Sequence, residues 1–174
     1  MPTIITHAVA AWATGKSLFN PIPNRVLVAG LICSMIPDAD VMAFGFGIPY
    51  DSLWGHRGIT HSVFFALMLG LFITMIFKKP GMKPLHLFLF IFLATLSHPL
   101  LDALTNGGRG VALWAPFSNE RYFFPWRPIK VSPLGLDAFI NGYGFRVLVS
   151  EIKWVWIPFL LVAFISGRLR KPKT

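Results

Sequence analysis

Two apolar runs, Ile59 to Phe77 and Leu85 to Leu104, follow one another with only a short turn containing Lys, Pro and Gly, Lys78 to Pro84, between them. Each is close to the ~20 residues an α-helix needs to cross a hydrocarbon core. In lipid a backbone must satisfy its own N–H and C=O groups, so the pair predicts a transmembrane helical hairpin. Three more apolar stretches flank it. Ile4 to Phe19 is a moderately apolar helix closed by Pro21 and Pro23, and Val26 to Ile36 is strongly apolar and broken at Pro37. The last span, Val147 to Ser166, carries Trp154 and Trp156 and runs into a basic tail. Only 13% of the 174 residues are charged, against about 25% in soluble domains. The expectation is an all-α, polytopic membrane protein of about four transmembrane helices, a single domain over residues 1–174.

Thr105 to Gly144 breaks the pattern with Gly, Pro, Trp and Arg and no steady period. It reads as an interfacial loop region after the third full span, with Trp114, Tyr122, Trp126 and Tyr143 suited to headgroup depth. The net charge of +9 resides largely in residues flanking apolar runs, such as Lys78, Lys79, Lys83, Arg168, Arg170, Lys171 and Lys173. Membrane lipid explains that placement more simply than nucleic acid does. The lone Cys33 reads as an apolar filler, and the N-terminus lacks a signal peptide's basic region and cleavage site, so it is expected to be retained.

Against this background three blocks stand out: PDAD at Pro37 to Asp40, HRGITHS at His56 to Ser62, and SHPLLD at Ser97 to Asp102. Ionisable groups inside apolar segments are costly and point to a working site. His98 and Asp102, four apart on a helix, share a face and a metal ion is within reach of both. His56 and His61 are five apart, which places His56 in the loop, with Gly58 turning the chain and Thr60 near the helix start. Asp38 and Asp40 converge only if the helix ends around Pro37. With the Lys78 to Lys83 turn, the tail, Lys16 and Arg25 placed on the cytoplasmic side, the N-terminus lies outside. His7, Asp38, Asp40, His56, His61, His98 and Asp102 then gather at the non-cytoplasmic end.

These seven are the candidate ligands. Imidazole and carboxylate donors without thiolate suit a divalent transition metal, zinc first, with manganese or iron as alternatives, and one or two ions. A span of about 17 residues rises about 26 Å against a core of about 30 Å, so ligands at its end lie near headgroup depth. Arg57, Arg121 and Arg127 are candidate clamps for an anionic headgroup, Thr60 and Ser62 candidate supports behind the ligands, and Asn106, Gly107 and Gly108 a turn whose N–H groups face the site. His86, alone near the Lys-rich turn, reads as a packing residue.

The order PD-x-D, HRG-x-THS and SH-x-x-x-D, followed by T-x-x-G at Thr105 to Gly108 and ALWAP at Ala112 to Pro116, resembles the YdjM-type family of inner-membrane metal-dependent hydrolases, some labelled LexA-regulated. The resemblance covers His7 through about Pro133, and HRGITHS is its most specific element. Val41 departs from it, since relatives often carry His there. The His98 and Asp102 spacing is also similar to that of zinc-dependent phospholipases C and related all-helical zinc nucleases. The resemblance implies a bacterial inner-membrane hydrolase.

The expected chemistry is hydrolysis of a phosphoester or other ester, in a lipid or small-molecule substrate, by metal-activated water, with Asp40 as general base. A metal-handling or transport protein and a scaffold with structural metal are the alternatives. The absence of inverted repeats counts against transport, and no H-E-x-x-H helix motif supports a peptidase.

Overall fold

The computed structural model describes residues 1–77, 81–133 and 139–170. Lys78 and Lys79 of the expected basic turn, and Lys171 and Lys173 of the tail, lie outside them. The regular structure of the described residues is all helical, with irregular chain over 47–58 and 104–133, no strand and only two isolated bridges, Thr105 with Ile129 and Val111 with Tyr122.

Five main helices run through the described residues. α1 (Ile4–Leu18) ends ahead of Pro21 and Pro23. α2 (Asn24–Met35) continues as 3₁₀ turns (Ile36–Phe46), so that the two together form one apolar rod of 23 residues. The sequence predicts a break at Pro37; instead the helix tightens there. Pro sits in the first turn of the 3₁₀ segment, where its fixed φ is tolerated. α3 (Val63–Ile76) starts four residues later than expected, because Ile59–His61 forms its own 3₁₀ turn and Ser62 caps α3 by accepting from the Phe65 N–H at 3.0 Å. α4 (Pro84–Ala103) contains Pro99. α5 (Gly144–Leu169) begins a little before the expected Val147 and includes a π-helical stretch, Ile152–Trp156.

Three of these rods, Asn24–Phe46, Pro84–Ala103 and Gly144–Leu169, are long and apolar enough to cross a membrane, and α3 is a shorter apolar helix. α1 packs on α2, α4 and α5, and α3 packs on α4. Small residues set the closest approach. A Cβ built on Gly30 would lie 2.3 Å from the Phe90 ring, and one on Gly15 would lie 3.0 Å from it, so Phe90 of α4 wedges into a notch between α1 and α2. Ala11, Val26, Leu87, Ile91 and Ala94 close around that wedge without exposed surface. A second cluster, Ala10, Leu101, Ile129 and Val155, joins α1, α4, α5 and the loop region. Outward, Phe72, Met75, Ile76, Ile157, Leu161 and Phe164 remain more than half exposed, which is the surface of a protein whose solvent is lipid.

Candidate metal centre

The site is assembled by helix ends. In a 3₁₀ ladder the Ser34 carbonyl would take the N–H of residue 37, but Pro37 has none. His98 of α4 fills that role: its Nδ1 donates to the Ser34 carbonyl at 2.7 Å, leaving Nε2 as the lone-pair nitrogen, 3.2 Å from Asp38 Oδ1. His61 is oriented in the same manner by a carboxylate. Its Nδ1 lies 3.0 Å from Asp40 Oδ2, and its Nε2 is 3.7 Å from Asp38 Oδ1 and 3.6 Å from Asp102 Oδ2. Asp38 and Asp40 thus meet the opposite nitrogens of one ring, because the 3₁₀ twist points them apart.

Two groups with metal-ligand geometry result. Ligand atoms of Asp38, His61, His98 and Asp102 all lie within 4.8 Å of one another, as do those of Asp40, His56 and His61. The spacing argument for His98 and Asp102 corresponds to their common group. His56 reaches Asp40 from the loop, its Nδ1 donating to Oδ1 at 2.6 Å. His7 belongs to neither group but adjoins the first, stacked on His98 at 3.6 Å between ring centroids, with Nε2 3.8 Å from Asp102 Oδ1. All seven expected ligands are buried.

The first group fits a cation on two observations. Among the described residues, His61 Nε2, Asp38 Oδ2, Asp102 Oδ1 and both His7 nitrogens are buried without a hydrogen-bond partner, a costly condition in a dry interior. The cluster also holds three buried carboxylates, Asp38, Asp40 and Asp102, against the guanidinium of Arg57 and the Met1 ammonium. With neutral imidazoles the carboxylates outnumber these cations, a surplus of negative charge that a bound cation would offset. In the turn ahead of α3, burial alone would strip the proton from His61, but the neighbouring Asp38 and Asp40 carboxylates outweigh it and raise the imidazolium pKa to about 9. A metal ion bound at that ring competes with this proton.

Asp40 is engaged on both oxygens. Besides His56 and His61 it accepts from the Arg57 backbone N–H at 3.0 Å and from the Thr60 hydroxyl at 2.8 Å. Thr60 thus touches the candidate ligand Asp40, whereas the Ser62 hydroxyl serves the α3 cap and donates to the Ile59 carbonyl. Arg57 is 1% exposed: Nε lies 2.9 Å from Asp102 Oδ2, NH1 donates to the Gly107 carbonyl and NH2 to Thr105 Oγ1. The Asn106 to Gly108 turn accordingly offers Arg57 a carbonyl rather than N–H groups, and the Asn106 N–H is taken by the Ile129 carbonyl. Arg121 is half-buried and donates to the carbonyls of His56, Tyr50 and Ser52, pinning the preceding loop. Arg127 is exposed, its guanidinium 4.8 Å from the Phe123 ring. His86 is likewise exposed, edge-on to Phe19.

One buried acid escapes the sequence reading. Glu151 of α5 accepts from the Thr3 N–H and hydroxyl, both at 2.6 Å, and from Thr6 Oγ1 at 2.7 Å, clamping the start of α1 one turn ahead of His7. Trp156 Nε1 donates to the same Thr6 oxygen. The signal was present: a lone acid in an apolar run.

Over residues 1–173 the sequence matches the family model described as YdjM inner membrane protein. A relative, the inner membrane protein YbcI of Escherichia coli (strain K12), is 44% identical over 164 residues, covering 93% of this chain and 95% of that one. No solved structure matches the chain.

Proposed function

The chain belongs to the YdjM family of inner membrane proteins, and on that premise we propose that it is a multi-pass, metal-dependent hydrolase acting on a phosphoester or other ester in lipid or at the membrane surface. The observation that carries this reading is the set of buried ligand atoms, Asp38 Oδ2, His61 Nε2 and Asp102 Oδ1, without a hydrogen-bond partner among the described residues.

Asp38, His61, His98 and Asp102 would hold the ion, with His7 beside them. A divalent ion, zinc first among those suited to nitrogen and oxygen donors, supplies a lowered pKa for water, toward about 7, and polarises the attacked group. The Ser34 carbonyl and Asp40 fix the ring orientations of His98 and His61, which aims their Nε2 atoms into the cluster. Asp40, the expected general base, stands behind His56, which accordingly takes the water's proton while Asp40 orients the ring and stabilises the imidazolium. Arg57 holds Asp102 in place from the opposite side.

Turnover tests the reading directly. Metal-loaded protein in mild detergent should cleave a lipid phosphoester or a model ester, and His98→Ala and Asp102→Ala should fall to background. Equal rates in loaded wild type and both variants would sink it. Full burial of a four-ligand set also favours a second reading, a scaffold closed by structural metal. That form predicts unfolding on chelation with no turnover under any condition.

A further inference from the structure

A cavity of about 210 Å³ opens beside the cluster, lined by Tyr50, His56, Arg57, Gly108, Val131 and Ser132. It is the loop side of the site that opens here, between the HRGITHS turn and the loop region. The larger apolar grooves along α1 and α5, bounded by residues such as Trp12, Phe159 and Leu160, contain none of the candidate ligands.

The rim of the cavity is cationic. Arg109 and Arg121 both lie over the Tyr50 ring, 5.5 and 5.3 Å from its centroid. The Arg57 guanidinium forms part of the wall at Gly108, where an added Cβ would come 2.6 Å from NH1. Arg57 thus lines the cavity and is ion-paired with Asp102, while Arg109, paired with Asp51, and Arg121, held by carbonyls alone, lie over Tyr50 outside the lining, so that Arg121 adds a positive charge that no carboxylate among the described residues offsets. The cavity is smaller than the roughly 300 Å³ at which pockets begin to enclose a drug-sized ligand, so it admits a compact group and not an acyl chain.

Resting on the hydrolase reading above, we propose that the substrate presents a phosphate-type oxyanion and that this group enters from the loop side, past Tyr50 and Ser132, to reach His56 and the metal. The positive field of Arg109 and Arg121 beside Tyr50 matches such an oxyanion in charge. Its source is a free phosphoester or a lipid headgroup; the acyl esters of a bilayer lipid stay outside the cavity.

The test uses the full chain in mild detergent, loaded with cobalt as a spectroscopic substitute and with metal content measured on the same sample. Inorganic phosphate and dihexanoyl phosphatidate are titrated separately while the visible cobalt spectrum is followed. A spectral change with phosphate identifies a free phosphoester as the source, and a change with the phosphatidate alone identifies a headgroup. In either case Arg109→Gln should weaken binding up to about fivefold, the effect of one exposed charge. Ser132→Cys carrying a bulky maleimide should abolish it, while the same label on Leu160→Cys in the outer groove should not. Cobalt bound with both probes silent, or binding indifferent to the label at 132, overturns the inference and leaves the hydrolase reading standing. No cobalt bound overturns that reading, and this inference falls with it.

Discussion

Arg57 ties the two halves of the cluster together: its backbone N–H serves Asp40 and its guanidinium serves Asp102. To do both it adopts φ of 62°, a left-handed conformation that a side chain with a Cβ rarely takes and that persists only where surrounding contacts impose it. Removing the guanidinium leaves Asp102 as an uncompensated buried charge. Arg57→Ala is expected to cost about 3–5 kcal/mol in the detergent-solubilised protein, read by thermal or denaturant unfolding. Arg57→Lys should fall between, since it keeps the charge and loses the fork. His61 gives a second prediction. Its folded pKa of about 9 exceeds the unfolded value of 6.5, so in the metal-free protein its contribution to stability is complete below about 6.5 and disappears as pH rises through about 9. Zinc added to weakly buffered protein at about pH 8 should therefore release a proton, and the alkaline loss of stability should vanish in the loaded form. Proton uptake, or no release, would contradict the placement of His61 as a ligand.

Among the elements, Phe90 in its glycine notch fixes how α4 approaches α1 and α2, and with it how His98 approaches Ser34. Gly30→Ala should destabilise by about 1–3 kcal/mol, because the new methyl meets the ring at 2.3 Å. A stability unchanged in Gly30→Ala would show that the ring has room to move. Glu151 fixes α1 in the same way from the other side. Glu151→Ala, which strands three donors, should lower stability by about 2–3 kcal/mol, and an unaltered unfolding midpoint would contradict the clamp. These contacts also show what the chain discloses in one dimension. The apolar runs announced the helices, and the i, i+4 spacing announced the common group of His98 and Asp102, because both depend on local periodicity. The continuation through Pro37 did not, since proline stops an α-helix yet fits the first turn of a 3₁₀ helix. The Glu151 clamp was hidden because its partners lie 145 and 148 residues away. The Arg residues expected to reach outward as clamps could not be told from structural ones, because only the folded chain shows that Arg57 is engaged by Asp102 and Arg121 by three carbonyls.

On the scale of the whole molecule, two solvents meet in one small protein. The outer faces of α3 and α5 keep large apolar side chains exposed, as lipid requires, while one end of the bundle buries His and Asp residues that lipid would expel. The buried Asp and His groups could hold a metal cation, which would satisfy the orphaned ligand atoms and offset part of the negative charge. The most direct measurement is elemental analysis of the chain purified in mild detergent, wild type beside His98→Ala, counting transition metal per polypeptide. One or two equivalents of zinc, manganese or iron in the wild type, lost in the variant, is the predicted result. No metal in either protein, even after reconstitution with each ion in turn, would mean that the cluster is a polar hydrogen-bonded network, contradicting the metal centre and the hydrolysis built on it.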